Sequence, residues 1–399
     1  MEILLERLGN PSFPAVHIAG TNGKGSICVM VERALRLQGY KTGLYTSPYI
    51  ERYEERIRLC GIPVSEECLV AAMQVLWPEI VSLRSSGIQV TEFEAGTALA
   101  FLIFARERVD IAVIEVGLGG RLDPTNVIKP LCCGISRIGM DHMQLLGNTM
   151  EAIAGEKAGI FKRGIPVVTG AQDKEAMDVL RTRAAQMECP FDVALPDHIL
   201  GEKYRTRFSY RGQFLNLQEV QVSLPGVHQA ENAAVALGIL ERLGVLGYPV
   251  KPETIREAFG TVHWPGRLEW LGQVLLDGAH NEPGVERLFG YARAHLSPMH
   301  TILIAGMMKD KETSSMAKRL SALATRVLCT TPQNPRALPA EELAEKFAPG
   351  QAAVETVPEN ALKKARAWAG PEDIILVCGS LYLIGDIRPL LHGEERRDV

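Results

Sequence analysis

A short apolar stretch, Pro14 to Ala19, runs directly into Gly20-Thr21-Asn22-Gly23-Lys24-Gly25-Ser26. A helix-patterned segment follows, with Ile27, Met30, Val31, Ala34, Leu35 and Leu37 on one side and Gly39 at its end. Strand, glycine-rich turn and helix in that order leave the chain few local paths. Glycines let backbone N–H groups approach phosphate oxygens, and the helix N-terminus adds a favourable dipole. Lys24 is placed to reach terminal phosphates, and Ser26 to meet Mg²⁺. The spacing departs from the general G-x-x-x-x-G-K-[ST] pattern, because Gly25 stands between Lys24 and Ser26. The alternative is a plain strand-to-helix turn, which the adjoining lysine and serine disfavour.

Beyond this point strands and helices alternate, as in a mostly parallel sheet covered by helices. Leu44 to Ser47, Ile111 to Val116 and Leu131 to Ile138 read as strands, and Ala95 to Ala105 as a core helix. From Phe208 to Leu224 polar alternation replaces the apolar runs, which predicts antiparallel strands or hairpins. A helix over Ala230 to Leu243 follows. Near Trp264-Pro265-Gly266-Arg267 the chain turns, and a second α/β series begins. Its strands are Val274 to Leu276, Thr301 to Ala305, Arg326 to Cys329 and Ile374 to Cys378. The domain boundary is expected at Arg267, giving domains 1–266 and 267–399.

Bulk properties narrow the class. A chain of 399 residues favours two or more domains. A net charge of -4 argues against a general nucleic-acid binder, while allowing a local basic pocket for an anion. The first residues, Met1 to Arg7, read as an amphipathic helix rather than a signal peptide, and no apolar run is long enough to span a bilayer. Eight scattered cysteines without a CxxC pair predict reduced thiols in a cytoplasmic protein.

Two charged residues stand out within this pattern. Glu115 closes the apolar strand Ile111-Ala112-Val113-Ile114, at the carboxyl end where open α/β sheets place ligands. A carboxylate buried there needs a partner or a metal, whereas one exposed at the strand end needs neither. Lys157 lies on a helix expected to start near Asn148 or Thr149, a setting in which a lysine is usually a solvated charge.

The string from Gly20 to Ser26 resembles the phosphate loop of the Mur ligase superfamily, specifically of folylpolyglutamate and dihydrofolate synthases. The resemblance continues through Thr46-Ser47-Pro48, Thr91-Glu92-Phe93-Glu94, Glu115-Val116-Gly117-Leu118-Gly119-Gly120-Arg121-Leu122-Asp123, Asp141-His142 and Glu156-Lys157-Ala158-Gly159. It resumes at Pro265-Gly266-Arg267, Asp277-Gly278-Ala279-His280-Asn281 and Gly379-Ser380-Leu381-Tyr382. Each motif alone is weak; in this order they are specific.

The resemblance implies an α/β fold, with an N-terminal P-loop-type, mostly parallel sheet domain and a smaller C-terminal Rossmann-like domain. It implies an ATP site built from Gly20, Thr21, Asn22, Gly23, Lys24, Gly25, Ser26, Asn232, Arg267, Asp277 and His280. It implies Mg²⁺ at Ser26, Ser47, Glu115, His142 and Lys157, the last carbamylated by CO₂, and a folate pocket at Thr91 and Phe93. Lys24, Lys157, His142 and Arg267 are the implied catalytic residues. Gly117 to Asn126 resembles a flexible loop beside the phosphates. Tyr49, Pro124 and Glu312 stand where the family usually has histidine, alanine and aspartate.

The implied reaction joins L-glutamate to the carboxylate of a folate or of dihydropteroate, with ATP forming an acyl phosphate and no nucleic acid or membrane involved. ATP is expected between the two domains, and the protein is expected to be a monomer. Another Mur-type amide ligase acting on a cell-wall precursor, or a nucleotide-binding regulator, are the competing readings. Thr91, Phe93 and Ser380-Leu381-Tyr382 favour the folate ligase over the first, and Ser47, Glu115, His142 and Lys157 oppose the second.

Overall fold

In the computed structural model, which describes residues 1–393, every residue of the first strand, β1 (Ala15–Ala19), is buried. Burial on both faces is the mark of a central parallel strand. The strands that follow are β2 (Thr42–Tyr45), β3 (Ile57–Leu59), β4 (Ile62–Pro63), β5 (Ile111–Glu115), β6 (Cys132–Ile135), β7 (Val167–Thr169) and β8 (Phe191–Val193). They form one sheet in the order β4-β3-β2-β5-β1-β6-β7-β8. From β2 through β8 the pairing is parallel, and β3 and β4 add an antiparallel edge. The glycine-rich turn after β1 therefore sits at the carboxyl edge, between β5 and β6.

Two predicted strands end two or three residues early, for identifiable reasons. Leu44 to Ser47 is observed as Thr42–Tyr45. Pro48 has no N–H to give a ladder, and the Ser47 N–H donates to the Glu115 side chain instead. Leu131 to Ile138 is observed as Cys132–Ile135. There the chain peels away, and the Arg137 carbonyl accepts from Thr21 and Asn22.

The helix Glu92–Glu107 contains the predicted core segment and is buried continuously from Gly96 to Phe104. Phe13 packs edge-on against Phe101 and Phe104, with centroids 5.3 and 5.5 Å away. Each such buried aromatic contributes about 1.5–3 kcal/mol relative to exposure. Among the described residues no helix is long and apolar enough to cross a membrane.

The region of polar alternation forms a three-stranded sheet, ordered β11-β10-β9, from β9 (Pro196–Gly201), β10 (Thr206–Arg211) and β11 (Asn216–Val222). The final series adds β12 (Glu269–Leu271), β13 (Val274–Asp277), β14 (Thr301–Ala305), β15 (Arg326–Cys329), β16 (Ala352–Val354) and β17 (Ile374–Cys378). These lie in the order β12-β13-β17-β14-β15-β16 and are parallel except for the β12–β13 pair.

The chain divides into two units. The first holds Met1–His198, Phe208–Val220 and Glu231–Val262; the second holds Ile199–Arg207, Gln221–Ala230 and the chain from His263 onward. The division falls at 262/263 and is interleaved. Tyr204 meets Trp270 edge-on at 5.6 Å, and the Tyr291 hydroxyl donates to the Lys203 carbonyl, so the segment around 204 belongs with the later residues.

Candidate active site

The phosphate-loop sequence is shaped by two close approaches. Gly20 (φ 140°) and Gly23 (φ 100°) both have positive φ. A Cβ on Gly20 would lie 1.9 Å from Ser136 Oγ, and one on Gly23 would lie 2.2 Å from Asn232 Oδ1. Neither position accepts a side chain without rearrangement. The loop is also fastened to the segment after β6: the Thr21 hydroxyl donates to the Gly139 carbonyl and accepts from its N–H, both at 3.0 Å. The helix Lys24–Gln38 then begins with no side chain capping its N-terminus. A helix N-terminus of this kind turns its first amides and its dipole toward an anion. Lys24 Nζ bends back to the carbonyls of Gly20 and Thr21, at 3.3 and 3.2 Å.

Lys157 reaches the same loop from another helix. Thr149 caps that helix, Met150–Ala158, through Ala152 N–H. Lys157 is 4% exposed, and its Nζ donates to the Gly20 carbonyl at 2.9 Å. Burial first, then repulsion from Lys24, lowers its ammonium to about 7 against the pull of Asp141 and Asp123. The solvated lysine that sequence alone suggests is instead a buried one.

Glu115 is also buried and accepts the Ser47 N–H at 3.0 Å, which joins the ends of β5 and β2. Ser26 is buried in the first turn of its helix. His142 differs: its side chain is 39% exposed, its φ is 51°, and its backbone N–H donates to Asp141 Oδ1.

The loop from Gly117 to Asn126, expected to be flexible, is tied down. Asp123 accepts from Leu118 N–H, Thr125 N–H and the Thr125 hydroxyl. Thr125 Oγ1 lies 2.8 Å from His17 Nε2 on β1. Burial, with Lys162 nearby, lowers His17 to about 3, so the ring is neutral. Gly120 rests on the lysine-bearing helix: a Cβ there would sit 2.6 Å from the Glu156 carbonyl and 3.0 Å from Lys157 Cα. Pro124 fits because it opens the short 3₁₀ turn Pro124–Val127, where no N–H is needed.

Thr91 and Phe93 open the helix Glu92–Glu107, outside its continuously buried stretch. Thr91 is exposed and caps the helix Glu92–Glu107 in a reciprocal box with Glu94. Phe93 is half-buried and covers Gly117, where a Cβ would lie 2.2 Å from its ring.

Within the second unit, the turn that carries Arg267 meets the segment Asp277 to His280, the Gly278 N–H donating to the Gly266 carbonyl at 2.8 Å. Asp277 accepts from the N–H groups of Leu268 and Ala279, each at 3.0 Å. Burial raises its carboxyl to about 6 despite Arg267. His280 Nδ1 lies 2.8 Å from the Gly278 carbonyl.

Residues 18–240 match the Mur ligase middle domain, and residues 266–381 match the Mur ligase, glutamate ligase domain. The chain belongs to the folylpolyglutamate synthase family of Mur ligases. It is 38% identical over 410 residues to the dihydrofolate synthase/folylpolyglutamate synthase of Bacillus subtilis, covering 98% of this chain and 94% of that one. It is 36% identical to the folylpolyglutamate synthase of Lacticaseibacillus casei, with 98% and 93% covered. The Mycobacterium tuberculosis folylpolyglutamate synthase solved with ADP and AMPPCP superposes with a TM-score of 0.91 at 30% identity, over 99% of this chain and 95% of that one. A folylpolyglutamate synthase solved with AMPPCP and folate gives 0.86 at 34%, over 98% and 94%.

In this folylpolyglutamate synthase family member the structure brings Lys24, Lys157 and Gly20 together, pairs Ser47 with Glu115, and sets Asn232 against Gly23. Sequence reasoning gave no role to Ser136, Arg137 and Gly139, which carry the loop, or to Asp123, Thr125 and His17. A signal existed for both groups. The first follows the carboxyl end of a strand beside β1, where ligand-binding segments are expected. The second contains Asp-x-Thr, a side-chain-bonded turn pattern.

Proposed function

We propose that this chain ligates L-glutamate to a folate carboxylate: ATP phosphorylates the carboxylate, the glutamate amine attacks the acyl phosphate, and phosphate leaves. The chain is an ATP-dependent ligase by family, and the observation that carries the site assignment is the pair Lys24 and Lys157 on the carbonyl of Gly20, beside an uncapped helix N-terminus. Phosphoryl transfer depends on position and on charge neutralisation, which this loop is built to supply. A relative named for dihydrofolate synthase as well as folylpolyglutamate synthase supports dihydropteroate as a second acceptor of glutamate. Arg267, Asp277, His280 and Asn232 are proposed ATP contacts, and Thr91 and Phe93 folate contacts, on the resemblance of their motifs.

The donors present suit Mg²⁺. Among the described residues no three His, Cys, Asp or Glu side chains form a ready-made metal cluster. The hard oxygens here are the Glu115 carboxylate and the Ser26 and Ser47 hydroxyls, with His142 assigned by resemblance. Mg²⁺, when bound, neutralises phosphate charge. Lys157 would join this set as a carbamate, formed when its neutral amine attacks CO₂ and releases a proton. A buried amine lowered to about 7 is available for that reaction near neutrality. The free state of all eight cysteines is in keeping with a cytoplasmic, reduced protein, proposed here to act as a monomer.

The deciding experiment measures phosphate release with ATP, Mg²⁺ and glutamate, offering dihydropteroate, reduced folates and a cell-wall precursor in turn. Release that requires glutamate and a pterin-type carboxylate is the expected result. Release with the cell-wall precursor alone, or equal ADP formation without either substrate, would reject the assignment.

A further inference from the structure

We propose that Glu269, anchored by Arg388, is a positioning residue that sets Arg267 for the nucleotide; this rests on the reading of Arg267 as an ATP contact. Arg267 stands in a turn with positive φ on both sides, 65° at Gly266 and 50° at Leu268. Leu268 has a Cβ, so the left-handed conformation there is strained and persists only if its surroundings hold it. Two carboxylates do so. The Gly266 N–H donates to Glu269 Oε2 at 2.9 Å, and the Leu268 N–H donates to Asp277 Oδ2 at 3.0 Å. The Gly266 carbonyl accepts from Gly278 N–H at 2.8 Å. The amides on either side of Arg267 are thus both spent on carboxylates.

The arginine side chain is placed by the same framework. A Cβ on Gly278 would lie 2.6 Å from Arg267 Nη1 and 2.3 Å from Leu381 Cδ2, so the guanidinium lies over a glycine that keeps its path open.

Glu269 itself is fixed from beyond the turn. It is 5% exposed, and Arg388 grips it through Nε and Nη2, with contacts of 3.0 Å to each carboxylate oxygen. His263 Nε2 lies 3.3 Å from Oε1. Burial alone would raise this carboxyl, but the hydrogen bonds from His263 and Arg388 hold it down to about 2. It is therefore ionised at every working pH and remains an acceptor for Gly266. An arginine fork on a buried carboxylate is directional as well as strong. It links the short turn Arg388–Leu391, far along the chain, to the backbone that carries Arg267.

A buried ion pair that only supports the fold would look similar, and a mutant cycle separates the two. The whole protein is assayed for phosphate release with varied ATP, at saturating Mg²⁺, glutamate and reduced folate. Glu269→Gln is expected to lower kcat/KM for ATP by about tenfold to about a hundredfold, the range a small misplacement produces. In an Arg267→Ala background the same change is expected to cost less than about twofold, because residues acting through one group are not additive. An equal fold-loss in both backgrounds, or no loss in either, overturns the positioning role. If Arg267→Ala alone leaves the ATP dependence unchanged, the nucleotide reading of Arg267 fails and the proposal falls with it. Should Glu269→Gln not fold, Arg388→Lys, which keeps the charge but loses the fork, enters the same cycle and is read in the same way.

Discussion

Lys157 Nζ donates to the carbonyl oxygen of Gly20 at 2.9 Å, and Lys24 Nζ approaches that same oxygen to 3.3 Å. Two cationic side chains therefore converge on the first peptide of the phosphate loop, one from a buried position. Their mutual repulsion adds to the cost of burying Lys157. The arrangement is electrostatically unfavourable without an anion and favourable with one.

Lys157→Met tests that cost. With the folded amine near 7 and the ordinary value at 10.5, the ammonium penalty is complete below about pH 7. It is relieved as pH rises toward 10.5, because the unfolded state then binds more protons than the folded one. In metal-free, CO₂-depleted buffer the variant is expected to melt higher than the parent near pH 6, with the gain shrinking as pH rises. Ligase activity should be lost. A lower melting temperature near pH 6 would contradict the buried-ammonium account.

Carbamylation has its own signature. Activity of the parent should rise with pH through about 7, as the neutral amine becomes available, and should fall on bicarbonate depletion. Crystallographic density beyond Nζ should show a planar, three-atom group. Bare Nζ density in an active, metal-bound crystal, with no response to bicarbonate, would exclude it.

Lys24→Ala should cut phosphate release by about 100- to 1,000-fold, the usual loss when one preorganised charge or donor leaves a transition state. Lys24 bonds only to carbonyls of its own loop in the contacts described above, and its loss relieves the repulsion on Lys157, so stability near neutral pH should hold or rise rather than fall. Near-normal turnover would place the nucleotide elsewhere.

Two glycines beside Lys157 should respond in opposite directions. Gly120→Ala forces a Cβ against the Glu156 carbonyl and Lys157 Cα, and is expected to cost about 1–3 kcal/mol and most of the activity. Gly155→Ala, in the same helix as Lys157, meets nothing within 4 Å and should stabilise by about 0.5–1 kcal/mol. Calorimetry on both variants checks the pair.

Thr91→Ala separates a cap from a pocket. Loss of the cap should cost about 1 kcal/mol, as should Ser65→Ala at the start of Glu66–Ser85. A folate role for Thr91 predicts a raised KM for folate in the first variant and not in the second. Equal KM values would leave Thr91 as a helix cap only.

Local chemistry made much of this protein legible in its sequence. Apolar runs between turns located Thr301 to Ala305, Arg326 to Cys329 and Ile374 to Cys378 to the residue, because each carries a continuous buried apolar run, as parallel strands covered on both faces do. The glycines, Lys24 and Ser26 announced an anion cradle because phosphate binding by a helix N-terminus is a property of a contiguous segment. Tertiary structure decided the rest. Lys157 looks like any helical lysine until the fold lays its Nζ on Gly20, 137 residues away. Asp123 and His17 matter through Thr125, and the short strand β12 exists only because β13 pairs with it. Glu269 and Arg388 carry no local pattern at all: their charges meet across 119 residues, and burial, which no short window of sequence encodes, turns that meeting into a constraint on Arg267.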